Sequence, residues 1–354
     1  MTKLKIDLHK IRENIETVLA LCQQCNLDLV VVTKCCGADN TIIRHVIDSG
    51  VSSIAESHPF NYRYIESEVD RIGLHVSISS LYEDIPCDTI YISDFIALKK
   101  LAKSSFADKY KIVIPIETGD MREGVSPDEL SEFMKKALAI KKLRIVGFSS
   151  NYCCLNHTPP SLEKLDCFVE YIRRISKDFI YNPHIISIGG SSLWSLMVRN
   201  EIPDSINQIR MGESIFLGLD PATRMNIDTL HQGAFVLEGE ILEIRDKRIQ
   251  QNYDNTIQPE NLDSNTGSKF SRLRKRAVLD FGYTTCQTLG LIPEETGVKI
   301  VGSSQDLTVI DVTDTQTCFK SGDFVRFFLK YEALSMAMIN PYIKKRYVAS
   351  SFEG

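Results

Sequence analysis

The chain has 354 residues, 43% of them hydrophobic and 25% charged, with a formal net charge of −5 at pH 7. That balance supplies core enough for two domains, or one large domain and a smaller module. It offers no face-wide cationic surface for a nucleic acid. The opening Met-Thr-Lys-Leu-Lys-Ile-Asp has no apolar run of signal-peptide length, and no segment approaches a membrane span, so a cytoplasmic location is expected. The ten cysteines are then expected as reduced thiols rather than a disulfide framework.

Through about residue 232, short apolar runs alternate with amphipathic stretches. Strands are expected at 29–33, 52–55, 74–78, 89–92, 111–116, 144–148, 184–188 and 206–210, all rich in β-branched residues. Cys22 and Cys25 form a CxxC on a helical pattern, without a second ligand pair at zinc spacing, so no metal is expected there. The pairs Cys35-Cys36 and Cys153-Cys154 follow strand ends and are expected as small buried thiols. Over 128–140 the residues Leu130, Phe133, Met134, Ala137 and Leu138 recur at helical spacing, with Ser126-Pro127 as the opening signal. Ser161 is placed to cap a helix over 162–175. Eight β/α repeats predict a closed (β/α)8 TIM-type barrel rather than an open sheet.

After Gly233 helical periodicity stops and strand-like runs follow at 234–244, 277–280, 299–300, 307–312 and 324–329. The polar segment 250–268 is expected as a long exposed loop. Arg272-Leu-Arg-Lys-Arg276 is expected as a solvated strand edge. The predicted organisation is an α/β barrel over 9–232 followed by a smaller C-terminal β domain over 233–354, which an N-terminal strand over 1–8 joins.

In such a barrel, functional groups collect at the C-terminal ends of the strands. Those ends carry Lys34, Glu56-Ser57, Ser79-Ser80, Ser93-Asp94, the run from Glu117 to Arg122, Ser149-Ser-Asn151, the turn from Gly189 to Ser192, and Arg210-Met-Gly212. This polar set suits an anionic, hydrogen-bonding ligand. Lys34 closes an apolar run and is placed to point into the mouth. Desolvation beside other cations, with Arg122 and Arg210 as candidates, would leave it a neutral amine able to attack an aldehyde. Gly189-Gly190-Ser191-Ser192 opens a helix and offers backbone N–H groups and hydroxyls to a phosphate. A strand-end lysine and a phosphate turn together point to pyridoxal 5'-phosphate.

The order of motifs resembles the alanine-racemase type of pyridoxal enzymes, whose barrel is followed by a β domain. The resemblance runs from Ile6-Asp-Leu-His-Lys-Ile-Arg-Glu-Asn14 through Val31-Val-Thr-Lys34, Glu117-Thr-Gly-Asp-Met-Arg-Glu-Gly124 and Ile209-Arg-Met-Gly-Glu213 to Leu217-Gly218. In the β domain it takes in Phe281-Gly-Tyr283, Gly302-Ser-Ser-Gln-Asp306 through Asp311, and Tyr331-Glu332. Gly-Asp-x-Arg-Glu-Gly, Arg-x-Gly-Glu and the closing Asn340-Pro-Tyr-Ile-Lys-Lys345 are most similar to the ornithine-racemase branch.

The resemblance implies an amino-acid racemase in which Lys34 carries the cofactor as a Schiff base and moves the Cα proton on one face, with Tyr283 serving the other. It implies Arg210 at the pyridine nitrogen, and Tyr331, Ser191 or Ser192 and the backbone of Gly212 at the phosphate. Arg122 would steady the substrate carboxylate or ring hydroxyl, and Asp306 would approach from the β domain. Asp120, Glu123 and Glu213 are candidates for a distal ammonium, which favours ornithine or lysine as substrate. The resemblance also implies a homodimer with shared sites, Tyr283 and Asp306 acting on the partner's cofactor.

The chain departs from the alanine racemases at Ala38, where they carry a phosphate-binding tyrosine, at Asn151 for a histidine, and at Pro115 for a lysine. Thr284-Thr285 replaces Asp-Gly after Tyr283. Two alternatives remain: a decarboxylase of basic amino acids, and a non-catalytic pyridoxal-phosphate-binding or regulatory protein. The first would need an acidic partner for the pyridine nitrogen and a Glu-Pro-Gly-Arg motif, and neither is found in the sequence.

Overall fold

The computed structural model describes residues 1–65, 69–156, 158–250 and 271–349. Apart from Gln250, the loop expected over 250–268 lies outside the described residues. The chain forms two compact units, Lys10–Gln232 and Met1–His9 with Gly233–Gly354. In chain order, β1 (Lys3–Asp7) belongs to the second unit, and α1 (Leu8–Gln24) leads from it into the first.

The first unit is a closed barrel of eight parallel strands. These are β2 (Asp28–Val32), β3 (Ser53–Glu56), β4 (Asp70–Gly73), β5 (Thr89–Tyr91), β6 (Lys111–Pro115), β7 (Arg144–Asn151), β8 (Ile185–Gly189) and β9 (Gln208–Met211). Closure is made by β2 pairing with β9, Val30 opposite Arg210. Val30, Val32, Ala55, Ile72, Tyr91 and Val113 pack together as a core cluster. Burying each large aliphatic side chain of this kind stabilises by about 1.5–3 kcal/mol.

The helices start where the sequence supplies caps. Asp39 accepts from the backbone N–H groups of Thr41 and Ile42 and opens α2 (Asn40–Asp48). Asp94 accepts from Ala97 and opens α3 (Phe95–Ala102). Ser161 caps α5 (Leu162–Phe179), which buries Leu165, Phe168, Val169, Ile172 and Ile175 on one stripe. The helix expected over 128–140 is shorter, α4 (Leu130–Leu138), because Ser126 to Glu129 first makes a turn, with Glu129 N–H donating to the Ser126 carbonyl. Two short helices, α6 (Trp194–Val198) and α7 (Glu213–Leu217), follow β8 and β9, and a small ribbon of β10 (Leu219–Asp220) and β11 (Met225–Asn226) completes the unit.

The third barrel strand differs from expectation. The alternating run 74–78 is not a strand; β4 occupies Asp70–Gly73, and residues Ile78–Tyr82 wind into a 3-10 turn. Ile72 joins the barrel core, and ion pairs flank the strand: Lys111 reaches Asp70 at 3.1 Å and Arg71 reaches Asp88 at 3.2 Å.

The second unit is an antiparallel sheet in the order β14 (Leu291–Pro293), β17 (Phe324–Leu329), β12 (Phe235–Gln250), β13 (Ser271–Leu279), β16 (Thr308–Asp311), β15 (Lys299–Ser303). The N-terminal β1 pairs antiparallel with β12 and parallel with β18 (Lys344–Val348). Helical structure does not stop at Gly233 as expected, since α8 (Tyr331–Ile339) buries Ala333, Leu334, Ala337 and Met338. Nor is the basic run a fully solvated edge. Arg276 is 3% exposed, and both it and Arg274 meet the buried carboxylate of Asp311, at 3.3 and 2.8 Å. Among the described residues no helix is long and apolar enough to cross a membrane.

Candidate active site

β2 runs buried from Leu29 to Val32, and Thr33, also buried, donates its N–H to the Ala55 carbonyl at 2.9 Å. The chain then leaves the strand in a single 3-10 turn, Lys34–Cys36, which Gly37 closes at φ 56° by donating to the Lys34 carbonyl. Cys35 and Cys36 are buried under this turn with their sulfurs 3.8 Å apart, as expected of small core thiols. Lys34 is half-buried at the barrel rim. Its charge acts on Glu56 and His75, which stand after the next two strands.

Glu56 is 1% exposed; Oε1 accepts from the Ser57 and His58 N–H groups at 2.7 and 3.3 Å, while Oε2 has no hydrogen-bond partner. Burial pushes its carboxyl above the usual carboxylate range. His75 is held below the usual imidazole value, first by desolvation and then by Arg122, Lys34 and His58, against the pull of Glu123.

Arg210 comes up from β9 and is 6% exposed. Its Nη1 donates to Ser187 Oγ and its Nη2 to the Ser150 carbonyl, each at 2.8 Å. Its guanidinium carbon lies 5.4 Å from the Tyr91 ring centroid. Among the described residues no carboxylate stands within ion-pair distance of it, so a buried cation is held entirely by neutral groups. Isolated buried charges are costly, and such a donor is suited to a ligand acceptor. Gly189 makes room for it, since a Cβ there would lie 2.7 Å from Nη2 and 2.4 Å from Asn151 Oδ1.

The loop after β6 is organised by its own carboxylates. Glu117 accepts from the backbone N–H groups of Gly119, Met121 and Arg122, and Gly124 at φ 145° passes so close to Glu117 that a Cβ would meet its nitrogen at 2.5 Å. Arg122 is paired with Glu123, Nη2 to Oε1 at 2.7 Å, and lies 3.5 Å from Asp120. Asp120 is 3% exposed, and it also accepts from the N–H groups of Cys154 and Leu155 at 2.9 Å and from Asn151 Nδ2 at 3.2 Å. It therefore braces two loops, and its oxygens are spoken for. Glu213, half-buried, opens α7 directly after Gly212.

At the ends of β8 and β9 the two serines differ. Ser191 Oγ accepts from Ser214 N–H and hydroxyl at 3.0 Å and from Gly212 N–H at 3.4 Å, tying the two turns together. Ser192 Oγ is buried without any partner. Gly212 has no space for a side chain, because a Cβ would lie 2.8 Å from the Val32 carbonyl. An unpartnered hydroxyl beside glycine backbone, a rim lysine and a guanidinium lacking an acid fit a phosphorylated pyridine aldehyde.

In the β domain, Tyr283 is 55% exposed on a turn docked against residues 304–306. Its N–H donates to the Ser304 carbonyl, and Thr284 Oγ1 donates to the Gln305 carbonyl and to Asp306 at 3.4 Å. Tyr283 and Asp306 thus share one edge of that domain. Asn340, closing α8, donates to the carbonyls of Thr284 and Thr285, whereas Tyr331 opens the same helix.

Sequence reasoning missed Tyr91, the buried last residue of β5, and Ser187, which lies midway along β8. Ser93-Asp94, read as rim chemistry, is partly a helix cap. Cys154 is exposed rather than buried, and among the described residues no cluster suits a metal.

A (β/α)8 barrel with a rim lysine, joined in sequence to an antiparallel domain, is an architecture shared with known proteins. The profile of the family described as alanine racemase, N-terminal domain, matches residues 6–220. The chain is 31% identical to the lysine racemase of Thermotoga maritima, over 98% of this chain and 99% of that one. It is 26% identical to the ornithine racemase of Acetoanaerobium sticklandii, over 97% and 98%. Among solved structures, alanine racemase from Streptomyces lavendulae superposes with a TM-score of 0.73 at 15% identity, covering 99% of this chain and 97% of that one. Alanine racemase from Bartonella henselae, with covalently bound pyridoxal phosphate, gives 0.71 at 14% identity, covering 98% and 99%. The chain belongs to the alanine racemase family, and so to the racemase enzymes.

Proposed function

We propose that this racemase uses pyridoxal phosphate held by Lys34 and acts on a basic amino acid such as ornithine or lysine. The observation that carries the cofactor reading is Arg210, a buried guanidinium paired only with neutral groups in a barrel whose first strand ends in lysine. Pyridoxal phosphate, when bound, supplies an aldehyde for amines and a conjugated ring that accepts the electrons left when the Cα proton departs. The protein does the rest. Lys34 takes or returns the proton on one face of Cα, and Tyr283 does so on the other. Ser192, with Gly212 backbone and Tyr331, holds the phosphate, while Ser191 keeps the two turns in register. Arg210 stays protonated and can only donate, so it leaves the ring nitrogen an acceptor, which favours prompt return of the proton over side reactions. Arg122 steadies the substrate carboxylate, and Glu117 and Asp120 fix its loop.

The two named relatives, lysine and ornithine racemases, support a cationic substrate side chain. The candidate acids for its ammonium are Glu213, half-buried directly after Gly212 at the start of α7, Asp120 and Glu123, with Asp306 from the β domain as a further one. A charge-assisted contact of this kind contributes about 1.5–3 kcal/mol. The β domain bearing Tyr283 is supplied by the partner of a homodimer.

The test is Cα-proton exchange in deuterated water with ornithine, lysine and alanine. Inversion with exchange is expected, fastest for ornithine or lysine; carbon dioxide release would mean a decarboxylase, silence a binding protein, and a higher kcat/KM for alanine would reject the substrate class. Borohydride reduction of the loaded protein should fix the cofactor to the peptide containing Lys34, and finding it on another lysine would overturn the assignment.

A further inference from the structure

Arg210 is not fixed by its own strand. β9 places its Cα, but the guanidinium reaches into the barrel, where three groups meet it: the Ser150 carbonyl, Ser187 Oγ and the face of Tyr91. Tyr91 is 9% exposed and belongs to the core cluster of the barrel. Its hydroxyl reaches Ser187 Oγ at 3.5 Å, the same oxygen that accepts from Arg210 Nη1. Ser187 is fully buried. One tyrosine therefore acts on the guanidinium twice, once through its ring and once through the serine. A cation within about 6 Å of an aromatic face is attracted by the ring, most strongly when desolvated. That attraction matters here because, among the described residues, no carboxylate stands within ion-pair distance of the charge.

We propose that Tyr91, by its ring face and through Ser187, is a positioning residue that fixes Arg210 as a pure donor to the ring nitrogen of the bound cofactor. This rests on the cofactor reading above. Losing the aromatic support lets the guanidinium swing off the ring nitrogen and gives other donors access to it. A ring nitrogen that gains a proton withdraws electrons more strongly, which favours protonation away from Cα. The side product is then pyridoxamine phosphate, formed with one oxo acid for each amino acid consumed and with water taken up to release it.

The experiment compares wild type with Tyr91→Phe, Tyr91→Met and Ser187→Ala, all loaded with pyridoxal phosphate labelled at the ring nitrogen. Nitrogen NMR of the bound cofactor without substrate reads the protonation and hydrogen bonding of that nitrogen directly. Tyr91→Phe keeps the ring but loses the hydroxyl that reaches Ser187, and should shift the resonance less than Tyr91→Met does. Tyr91→Met keeps bulk without a π face and should move it toward the protonated value. The same variant should raise pyridoxamine phosphate formed per racemisation event by about tenfold, with Ser187→Ala intermediate. Identical resonances and partition ratios in wild type, Tyr91→Met and Ser187→Ala would overturn the proposal. If Tyr91→Met does not fold, Tyr91→Leu takes its place, and an unchanged resonance in it overturns the proposal whatever Ser187→Ala shows, because Ser187 also accepts from Arg210 directly. Failure of wild type to bind pyridoxal phosphate would instead sink the cofactor reading.

Discussion

Glu56 is a pH-sensitive residue buried beside the Lys34 turn, because one carboxylate oxygen accepts two N–H groups and the other accepts none. Desolvation raises its folded value above that of the unfolded chain, with the two N–H groups, His58 and Lys34 pulling back. Such a group contributes its stability in full below the unfolded value and loses it as pH rises through the folded one. Through this residue the protein should therefore lose stability as pH climbs from the ordinary carboxylate value of 4.5 toward the raised one. The steepest loss a single proton can give is about 1.4 kcal/mol for each step of one in pH. Glu56→Gln should flatten that slope in thermal unfolding of the cofactor-free protein, and an unchanged slope would remove Glu56 as its source. The sequence shows Glu56 at a strand end but not which way it faces, and that decides its chemistry. Lys34, Arg210 and the Gly189–Ser192 turn were legible because each is a rare residue type at the end of an apolar run. Tyr91 was not, because an aromatic in a β-branched run reads as core, and it is core as well.

At the scale of elements, the basic strand β13 is anchored by the buried acid Asp311, with Asp314 also within reach of Arg274. Arg274 and Arg276 stand on one face of the ribbon, opposite Lys247 and Arg245 of β12, so like charges oppose one another twice. Directly opposed like charges destabilise a sheet. Asp311, on β16 opposite Arg276, answers both arginines and is itself fully buried. Burial works to raise its carboxyl, but hydrogen bonds from Thr313, the Arg274 guanidinium and the charge of Arg276 outweigh it and hold the carboxyl below the usual range. Asp311→Asn should cost about 3 kcal/mol or more, because it removes the fully buried carboxylate that both arginines meet. Calorimetric unfolding would check this, and a loss below about 1 kcal/mol would show that the arginines find other partners. The sequence displays the basic run but not its partner, since Asp311 is 35 residues beyond Arg276 and strand order brings them together. The same limit explains β4, which is placed by pairing with β3 and β5 rather than by its own apolar pattern, and α8, whose apolar composition carries no clear helical stripe. The barrel was legible because eight runs repeat at regular spacing, and a closed sheet is the economical way to bury all of them.

At the scale of the whole molecule, the proposed mechanism raises the question of how Lys34 and Tyr283, which belong to different units of the chain, would serve one ligand. Tyr283 and Asp306 lie at one edge of the β domain, and Tyr331 lies at the far end of α8 from the Asn340 that holds the Tyr283 turn. In the homodimer proposed above, one β domain would present Tyr331 and the other Tyr283, and a two-fold pair would do so reciprocally. The prediction is complementation between Lys34→Ala and Tyr283→Phe, each expected to be inactive alone. When the two are unfolded, mixed and refolded, random pairing makes about half of the dimers mixed. In a shared-site dimer each mixed pair holds one site with both defects and one intact site, so about a quarter of wild-type activity should return. If Lys34 and Tyr283 work within one chain, every site of a mixed pair carries one defect and no activity appears. Sedimentation of the refolded mixture separates the two explanations of silence, since a monomer cannot complement and a dimer that stays silent has both residues on the same side of the pair.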